Sequence, residues 1–490
     1  MSYTIVIPKL SSNVQAYGIY TVVVSLLLLL QYADLGFLGA GYKYAAEAFA
    51  RDDRKGEIEI LSFAHFILFV VVIIYSILMI YVYFKPHIVF NNISDIYIQL
   101  AKHLILIFIA SAPLIVMQRF IAAVFSIRIE DYILQFVEIS SSIIKILSTF
   151  FFFKNDNYNI IGYILFMQFM NLLSVMIELL IIKFRYKYNF RMVAKAFRFN
   201  KKIFLITKKM AFTSIALTIS WILFYELDSV YVSKLYNTKT VALFAIGTTM
   251  LTFSRSLMNA FFSPFQTKFN HLRGIKDENS LSAYFIRIVV LSFPISIISP
   301  ICIIILMKPL IISWIGFNYY DSILISKILI ANLFFSFLLV PISYLAMARE
   351  KFKFLLISSL MLPFFYLLTY FILNKYFGLL SLPIAKVITL LINLIINLKL
   401  IKEVINFSLS NLLFSIGRQI IFPVLLLLLL IYITSPLWNI STGENTLHFL
   451  RIVGVGSICT IMSILSYYYI NPDTRLLLYK ILAKFKTNAI

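Results

Sequence analysis

The sequence predicts an all-α, polytopic transmembrane helical bundle, and three observations carry that prediction. Of 490 residues, 61% are hydrophobic and 13% charged, more apolar surface than one water-soluble core can bury, so lipid must serve as solvent. The apolar stretches run to about 20–25 residues, the length of a membrane-crossing helix, and lack the alternating ten-residue pattern of a barrel. Between these stretches the lysines and arginines fall largely on alternate connections.

Apolar runs bounded by charge clusters place thirteen spans, at 18–42, 60–84, 98–118, 133–153, 160–182, 210–233, 241–264, 283–307, 323–347, 354–374, 379–401, 411–433 and 448–470. One set of connections holds 28 of the 43 basic residues, among them Arg54, Lys55, Arg119, Arg128, Lys268, Arg273, Arg349, Lys351 and Lys480. The other set holds 7, including Lys9, Lys85, Lys154 and Lys308, and the remaining 8 lie inside spans. The basic side of a membrane protein stays in the cytoplasm, which places Asn471–Ile490 inside and the short tail ahead of the first span outside. The net charge of +22 is therefore read as topology, and no nucleic-acid partner is expected. Met1–Gln15 lacks the basic, apolar and small-residue succession of a cleavable signal peptide.

The longest basic connection divides the chain. Residues 183–209 carry ten lysines and arginines and no acid, with Phe or Tyr between the charges. This composition predicts an interfacial amphipathic connector that touches anionic headgroups. It separates an N-terminal helical block, 1–182, from a second block, 210–402, which a final helix pair and cytoplasmic tail follow at 403–490.

Several spans carry polar residues at helical spacing. Thr248, Thr252, Arg255, Asn259 and Ser263 fall on one face of their span, and Ser214, Thr218, Trp221, Tyr225 and Asp228 repeat the same offsets in the span before it. The span at 133–153 aligns Gln135, Glu138, Ser142, Lys145 and Thr149, and that at 379–401 aligns Lys386, Thr389, Asn393 and Asn397. A charge at the bilayer centre costs about 2.5–3.5 kcal/mol on insertion scales, so Arg255 and Lys145 should face a protein or aqueous interior. For Ser, Thr and Asn, interhelical hydrogen bonding worth about 0.6 kcal/mol each is an equal explanation. Lys102, Arg287, Lys327 and Arg451 lie near span ends and can snorkel to the headgroups. Arg418 is ambiguous, and Asp34 is either a gate or a polar cap near the inner end of its span. Cys302 and Cys459, in separate apolar runs, read as packing residues, and no metal or other cofactor is expected.

Short motifs give a family resemblance. Tyr17-Gly18-Ile19-Tyr20 opens the first span, Asp34-Leu35-Gly36-Phe37 lies near its close, and Arg54-Lys55-Gly56-Glu57 follows on the inner side. Tyr225 to Asp228, Val241 to Ile246, Ala346-Met347-Ala348-Arg349 and Lys375-Tyr376-Phe377-Gly378 add to it in the second block. The sequence resembles polysaccharide exporters of the multidrug/oligosaccharidyl-lipid/polysaccharide (MOP) exporter superfamily, and within it looks most like O-antigen or capsule-unit flippases of the Wzx type. That resemblance implies a 14-helix architecture of two pseudo-symmetric lobes around a central cavity, in a bacterial inner membrane. The family's first helix precedes Tyr17-Gly18, so a complete first helix is expected upstream of Ser2.

The resemblance also implies a substrate, an undecaprenyl-diphosphate-linked oligosaccharide moved from the inner to the outer leaflet by alternating access. Membrane lipids would be its surroundings, and a polysaccharide polymerase and a chain-length regulator its candidate protein partners. In that reading Arg255 forks onto phosphate oxygens and Lys145 supplies a point charge. Trp221 and Tyr225 stack on sugar rings, and Asp228, Thr252 and Asn259 bind sugar hydroxyls. Lys386, Glu138 and Asp34 complete the candidate cavity lining. Two other classes compete. A small-molecule cation antiporter of the multidrug branch would use Asp34, Glu138, Glu226 and Asp228. An integral-membrane polymerase or ligase would need reactive residues on a large outer loop, and no outer connection exceeds about 20 residues.

The charge parity is directly testable. A cysteine replacing Asn200, in the basic connector, is expected to stay unlabelled by a membrane-impermeant thiol reagent in intact cells. Labelling there would refute the assignment of that connector to the cytoplasm.

Overall fold

In the computed structural model every regular element among the described residues is helical. The described residues are 2–31, 36–90, 95–128, 130–153, 159–274, 278–349, 351–401, 409–438, 446–472 and 475. Among the described residues, ten segments are long and apolar enough to cross a membrane. One of them, Lys353–Leu398, folds back at Gly378, whose φ of +50° breaks the helix, so it supplies two antiparallel spans. The bent pair Ser214–Glu226 and Asp228–Leu235 falls at the expected span 210–233, whereas the span expected at 18–42 is divided between the shorter helices Val14–Gln31 and Phe37–Ala50. Lipid leaves no alternative partner for backbone amides, which is why runs of this length fold as helices.

Contacts divide the chain into two units, Met1–Ala242 and Leu243–Ile490. The first contains α1 (Ser2–Ser11), α2 (Val14–Gln31), α3 (Phe37–Ala50), α4 (Arg54–Phe84), α5 (Asp95–Ile127), α6 (Asp131–Phe152) and α7 (Ile160–Arg185). It continues through α8 (Phe190–Ala196), α9 (Lys201–Trp221) and α10 (Asp228–Leu235) to the start of α11 (Thr238–Gly274). Helix starts follow capping chemistry. Asp53, Asn159, Asn189 and Asn200 each accept a hydrogen bond from a backbone N–H in the first turn of α4, α7, α8 and α9.

Two glycines in the motifs that carry the family resemblance are explained by close approach in this unit. A Cβ on Gly18 of α2 would lie 2.1 Å from the carbonyl oxygen of Thr238. Gly36 has φ +68° at the start of α3, and a Cβ there would lie 2.2 Å from that of Ser214 on α9. Both positions exclude a side chain, the second on backbone grounds as well.

The second unit holds the rest of α11, then α12 (Glu278–Ile315), α13 (Ser322–Ile330), α14 (Ser336–Ala348), α15 (Phe352–Phe377) and α16 (Ser381–Ile401). After these come α17 (Leu409–Gln419), α18 (Ile421–Ile433), α19 (Ser435–Trp438) and α20 (Thr446–Ile470). The final helix pair is integral to this unit: Leu427 and Ile431 of α18 and Ile452 and Cys459 of α20 share a buried cluster with Ile298, Cys302 and Leu306 of α12. Both cysteines are free thiols within that packing.

Replacing Gly18 with alanine is expected to destabilise the protein by about 1–3 kcal/mol, because backbone must shift to admit the methyl group. Gly39→Ala, where a Cβ meets nothing within 4 Å, should be near neutral. Thermal unfolding of the two purified variants compares them.

Candidate functional site

The span formed by α9 and α10 is interrupted where its polar residues lie. A π-helical turn, Ile222–Glu226, joins the two helices, and their axes differ by 49°. Such a turn carries an extra residue relative to α-helix, so the face that follows it is rotated. The stripe expected from Ser214 to Asp228 assumed an unbroken α-helix, and the turn splits it. Asp228 is buried at the first position of α10, where the helix dipole favours a carboxylate, with Ser229 buried beside it. Trp221 and Tyr225 remain half-buried, and their rings meet at 4.3 Å. Phe224 is fully buried beneath Tyr225, 4.5 Å from its ring.

On α11 the expected face is open along the part that is described. Thr252 and Asn259 are exposed and Arg255 is half-buried. The side chain of Ser263 and the whole of Asp34 lie outside the described residues.

The stripe on α16 has a different role. Lys386 is 1% exposed, with its ammonium 5.5 Å from the centre of the Tyr366 ring on α15. Asn393 donates to the Ser358 carbonyl at 2.8 Å, and Asn397 donates to the Ser358 hydroxyl at 2.9 Å. This face is a joint between α15 and α16, and Lys386 belongs to it rather than to an open lining. On α6, Lys145 is half-buried and donates to Asn171 Oδ1 of α7 at 2.6 Å, whereas Glu138 is exposed.

A second constellation was not singled out from sequence. Arg128, at the end of α5, pairs with Glu57 of α4 at 2.8 Å, with side chains 6% and 0% exposed. Its guanidinium lies 4.7–5.5 Å from the rings of Phe49, Tyr186 and Tyr188. The Tyr188 hydroxyl donates to the same Glu57 oxygen at 3.1 Å, and Arg54 lies over the Tyr188 ring and donates to the Tyr186 carbonyl. Arg185 forks onto both oxygens of Glu130 at 2.9 and 3.1 Å, and the Tyr186 hydroxyl donates to Glu130 as well. These bonds, first from Arg185 and then from Tyr186, hold the Glu130 carboxyl below the usual carboxylate range. Its folded-state pKa being depressed, the tie is intact at neutral pH and is lost as pH falls through that lowered value. Burial pushes the Tyr188 phenol up, so it remains a neutral donor. The signal available in sequence was Glu57, inside the Arg54-Lys55-Gly56-Glu57 motif, together with tyrosines set among the connector's bases.

The network fixes one end of the connector, and aromatic packing fixes the rest. Phe197 meets Phe66 and Phe69 of α4 at 5.7 and 5.6 Å, Phe199 meets Phe63 at 5.9 Å, and Phe204 stacks on Phe37 at 5.9 Å. Lys187, Arg191, Lys195, Arg198, Lys201, Lys202 and Lys208 are all exposed. The connector is thus a covering of the first unit, aromatic beneath and cationic outside.

No family model matches the sequence, and no curated protein matches it. Solved structures do. An inward-facing multidrug resistance MATE family transporter of the MOP superfamily matches with a TM-score of 0.64 at 13% identity, covering 81% of this chain and 94% of its own. The lipid II flippase MurJ, in an inward closed conformation, matches with a TM-score of 0.61 at 17% identity, covering 95% of this chain and 99% of its own. A eukaryotic MATE transporter matches with a TM-score of 0.56 at 14% identity, covering 85% and 97%. The chain is a multi-pass membrane protein with the fold of MOP superfamily transporters.

Arg128→Met is expected to cost about 3–5 kcal/mol, because the Glu57 carboxylate would remain buried without its partner. Trypsin should then cut the connector at Lys187 and Arg191 faster than in the parent protein. Adding Glu57→Leu should restore part of the resistance. Unchanged cleavage in Arg128→Met would show that the ion pair does not hold the connector.

Proposed function

We propose that this protein is a flippase that carries a lipid-linked oligosaccharide with a diphosphate headgroup from the inner to the outer leaflet of a bacterial cytoplasmic membrane. The observation that carries this reading is the open polar face of α11, where Arg255 stands between exposed Thr252 and Asn259 in mid-span. A planar guanidinium forks onto phosphate oxygens, and neutral hydroxyl and amide groups on either side suit a glycan. Trp221 and Tyr225, half-buried at the break between α9 and α10, supply ring surfaces for sugars. The apolar tail needs no protein site and stays in lipid.

The comparisons support the same reading through extent. The likeness to the lipid II flippase runs over 95% of the chain, whereas the MATE likenesses cover 81% and 85%. Moving two negative charges outward across an inside-negative membrane is favoured by about 4–5 kcal/mol per 100 mV, so the membrane potential assists export. A cation antiporter is the competing reading, favoured by the slightly higher TM-score of the first MATE structure and by the buried carboxylate of Asp228.

Matched expression of four variants separates the two. Arg255→Ala is expected to abolish surface glycan while the protein still accumulates, and Arg255→Lys to restore only part of it. Lys102→Ala, whose ammonium lies 5.5 Å from the Tyr83 ring, should leave export near normal. The antiporter reading instead puts the loss in Asp228→Asn, measured as drug resistance. Normal surface glycan in Arg255→Ala would refute the flippase reading.

A further inference from the structure

The helices α6 and α7 are antiparallel neighbours, and their register places polar groups opposite one another along the seam. Lys145 donates to Asn171, and Phe153 meets Tyr163 edge-on at 5.0 Å. Leu134 and Ile182 belong to one buried cluster. In each of these pairs the two residue numbers have the same total, as one uniform antiparallel register requires. That register sets Glu138 opposite Glu178, Ser142 opposite Ser174 and Ser148 opposite Gln168. Seven-residue steps keep Glu138 and Lys145 on one face of α6, and Asn171 and Glu178 on one face of α7. The result is a polar ladder about 15 Å long at 1.5 Å rise per residue, inside two spans that are otherwise apolar.

Most rungs are satisfied. Asn171 donates onward to Gln168 at 3.1 Å, Ser148 donates to the Lys145 carbonyl, and Ser174 donates to the Met170 carbonyl. Ser142, Glu138 and Glu178 make no side-chain hydrogen bond among the described residues, and of these three Glu178 alone is buried, at 2% exposure. The charged groups acting on it are Glu138 and Lys145, both from α6, and α5, which also packs on α7, brings none. Glu138, by contrast, is exposed.

Two carboxylates held at one level in a low-dielectric seam cannot both be ionised without repulsion, and one proton between them removes it. With that proton bound, the remaining carboxylate and the Lys145 ammonium cancel and the ladder is neutral. Without it the ladder carries one net negative charge inside the membrane. Intramembrane groups arranged in this way suit a proton relay better than a structural joint, because a joint has no need of a buried acid that makes no hydrogen bond among the described residues.

We propose that Glu138 and Glu178 form a proton-exchange site, with exposed Glu138 as the point of entry and Lys145 as the fixed counter-charge. Resting on the transport reading above, this is the proton whose uptake and release couples to the carrier's cycle.

Infrared difference spectra of the full chain in lipid nanodiscs, titrated with acid and base, read the site directly. A protonated-carboxyl band that titrates is expected in the parent protein and should be lost in Glu178→Gln, a substitution of nearly equal shape. In Glu138→Gln, which removes the opposing charge, the half-titration point should fall by roughly one pH unit or more. In Lys145→Met it should rise. The absence of a titrating band assignable to Glu178, or a half-point that neither substitution moves, would overturn the proposal. So would a half-point that shifts when sodium replaces potassium, since the site would then hold a metal cation. The spectrum reports protonation and not export. A chain that titrates as stated but moves no lipid-linked sugar would refute the transport reading alone, and one that exports sugar without the band would refute this site alone.

Discussion

Hydrocarbon offers no hydrogen-bonding partner, and that single constraint organises the polar groups of this protein. Every side chain that enters the membrane with a donor, an acceptor or a charge must meet its match on another helix or face water. The three polar faces described here answer the constraint in different ways. On α16 it is met by Ser358 and Tyr366 of α15, leaving a closed joint. On α6 it is met in part by Asn171 and Gln168 of α7. On α11 Thr252 and Asn259 remain exposed beside Arg255. The face left open is the one on which binding chemistry can be argued, the closed joint on α16 accounts for stability, and the partly met face on α6 is the one proposed to exchange a proton.

At the water boundary the same reasoning explains the Arg128–Glu57 pair. Both side chains are removed from solvent, so each depends on the other and on the Tyr188 hydroxyl. Because the pair joins the ends of α4 and α5 to the start of the basic connector, it also sets how the connector leaves α7. Its phenylalanines Phe197, Phe199 and Phe204 then lie down on α4 and α3, and its bases are left outward. Charge and aromatic content, which alternate along the sequence, thereby separate onto two faces.

The break between α9 and α10 illustrates how irregular backbone survives at membrane depth. A π turn releases backbone groups that lipid could not satisfy, so it is tolerated only against protein or water. Phe224 is fully buried there and Asp228 nearly so, while Trp221 and Tyr225 keep part of their surface open. The interruption therefore falls among the residues that the polar stripe had already marked, although it changes which of them share a face.

The sequence alone determined the position of most spans, their helical character, the gathering of basic residues on alternate connections, and the packing role of the two cysteines. It also marked Arg255 and Lys145 as charges that lipid could not accommodate, and Trp221, Tyr225 and Asp228 as one polar stripe. These are properties of one segment at a time, sums of hydropathy and charge along a stretch of chain. Tertiary structure decided that Lys386 belongs to a helix joint, that the stripe before Asp228 is split, that Glu57 answers Arg128, and that Glu138 stands opposite Glu178. Each of those depends on the register between two helices or on a local change of helical pitch. Register is fixed by pairs of side chains far apart in sequence, and no single segment contains both halves of a pair.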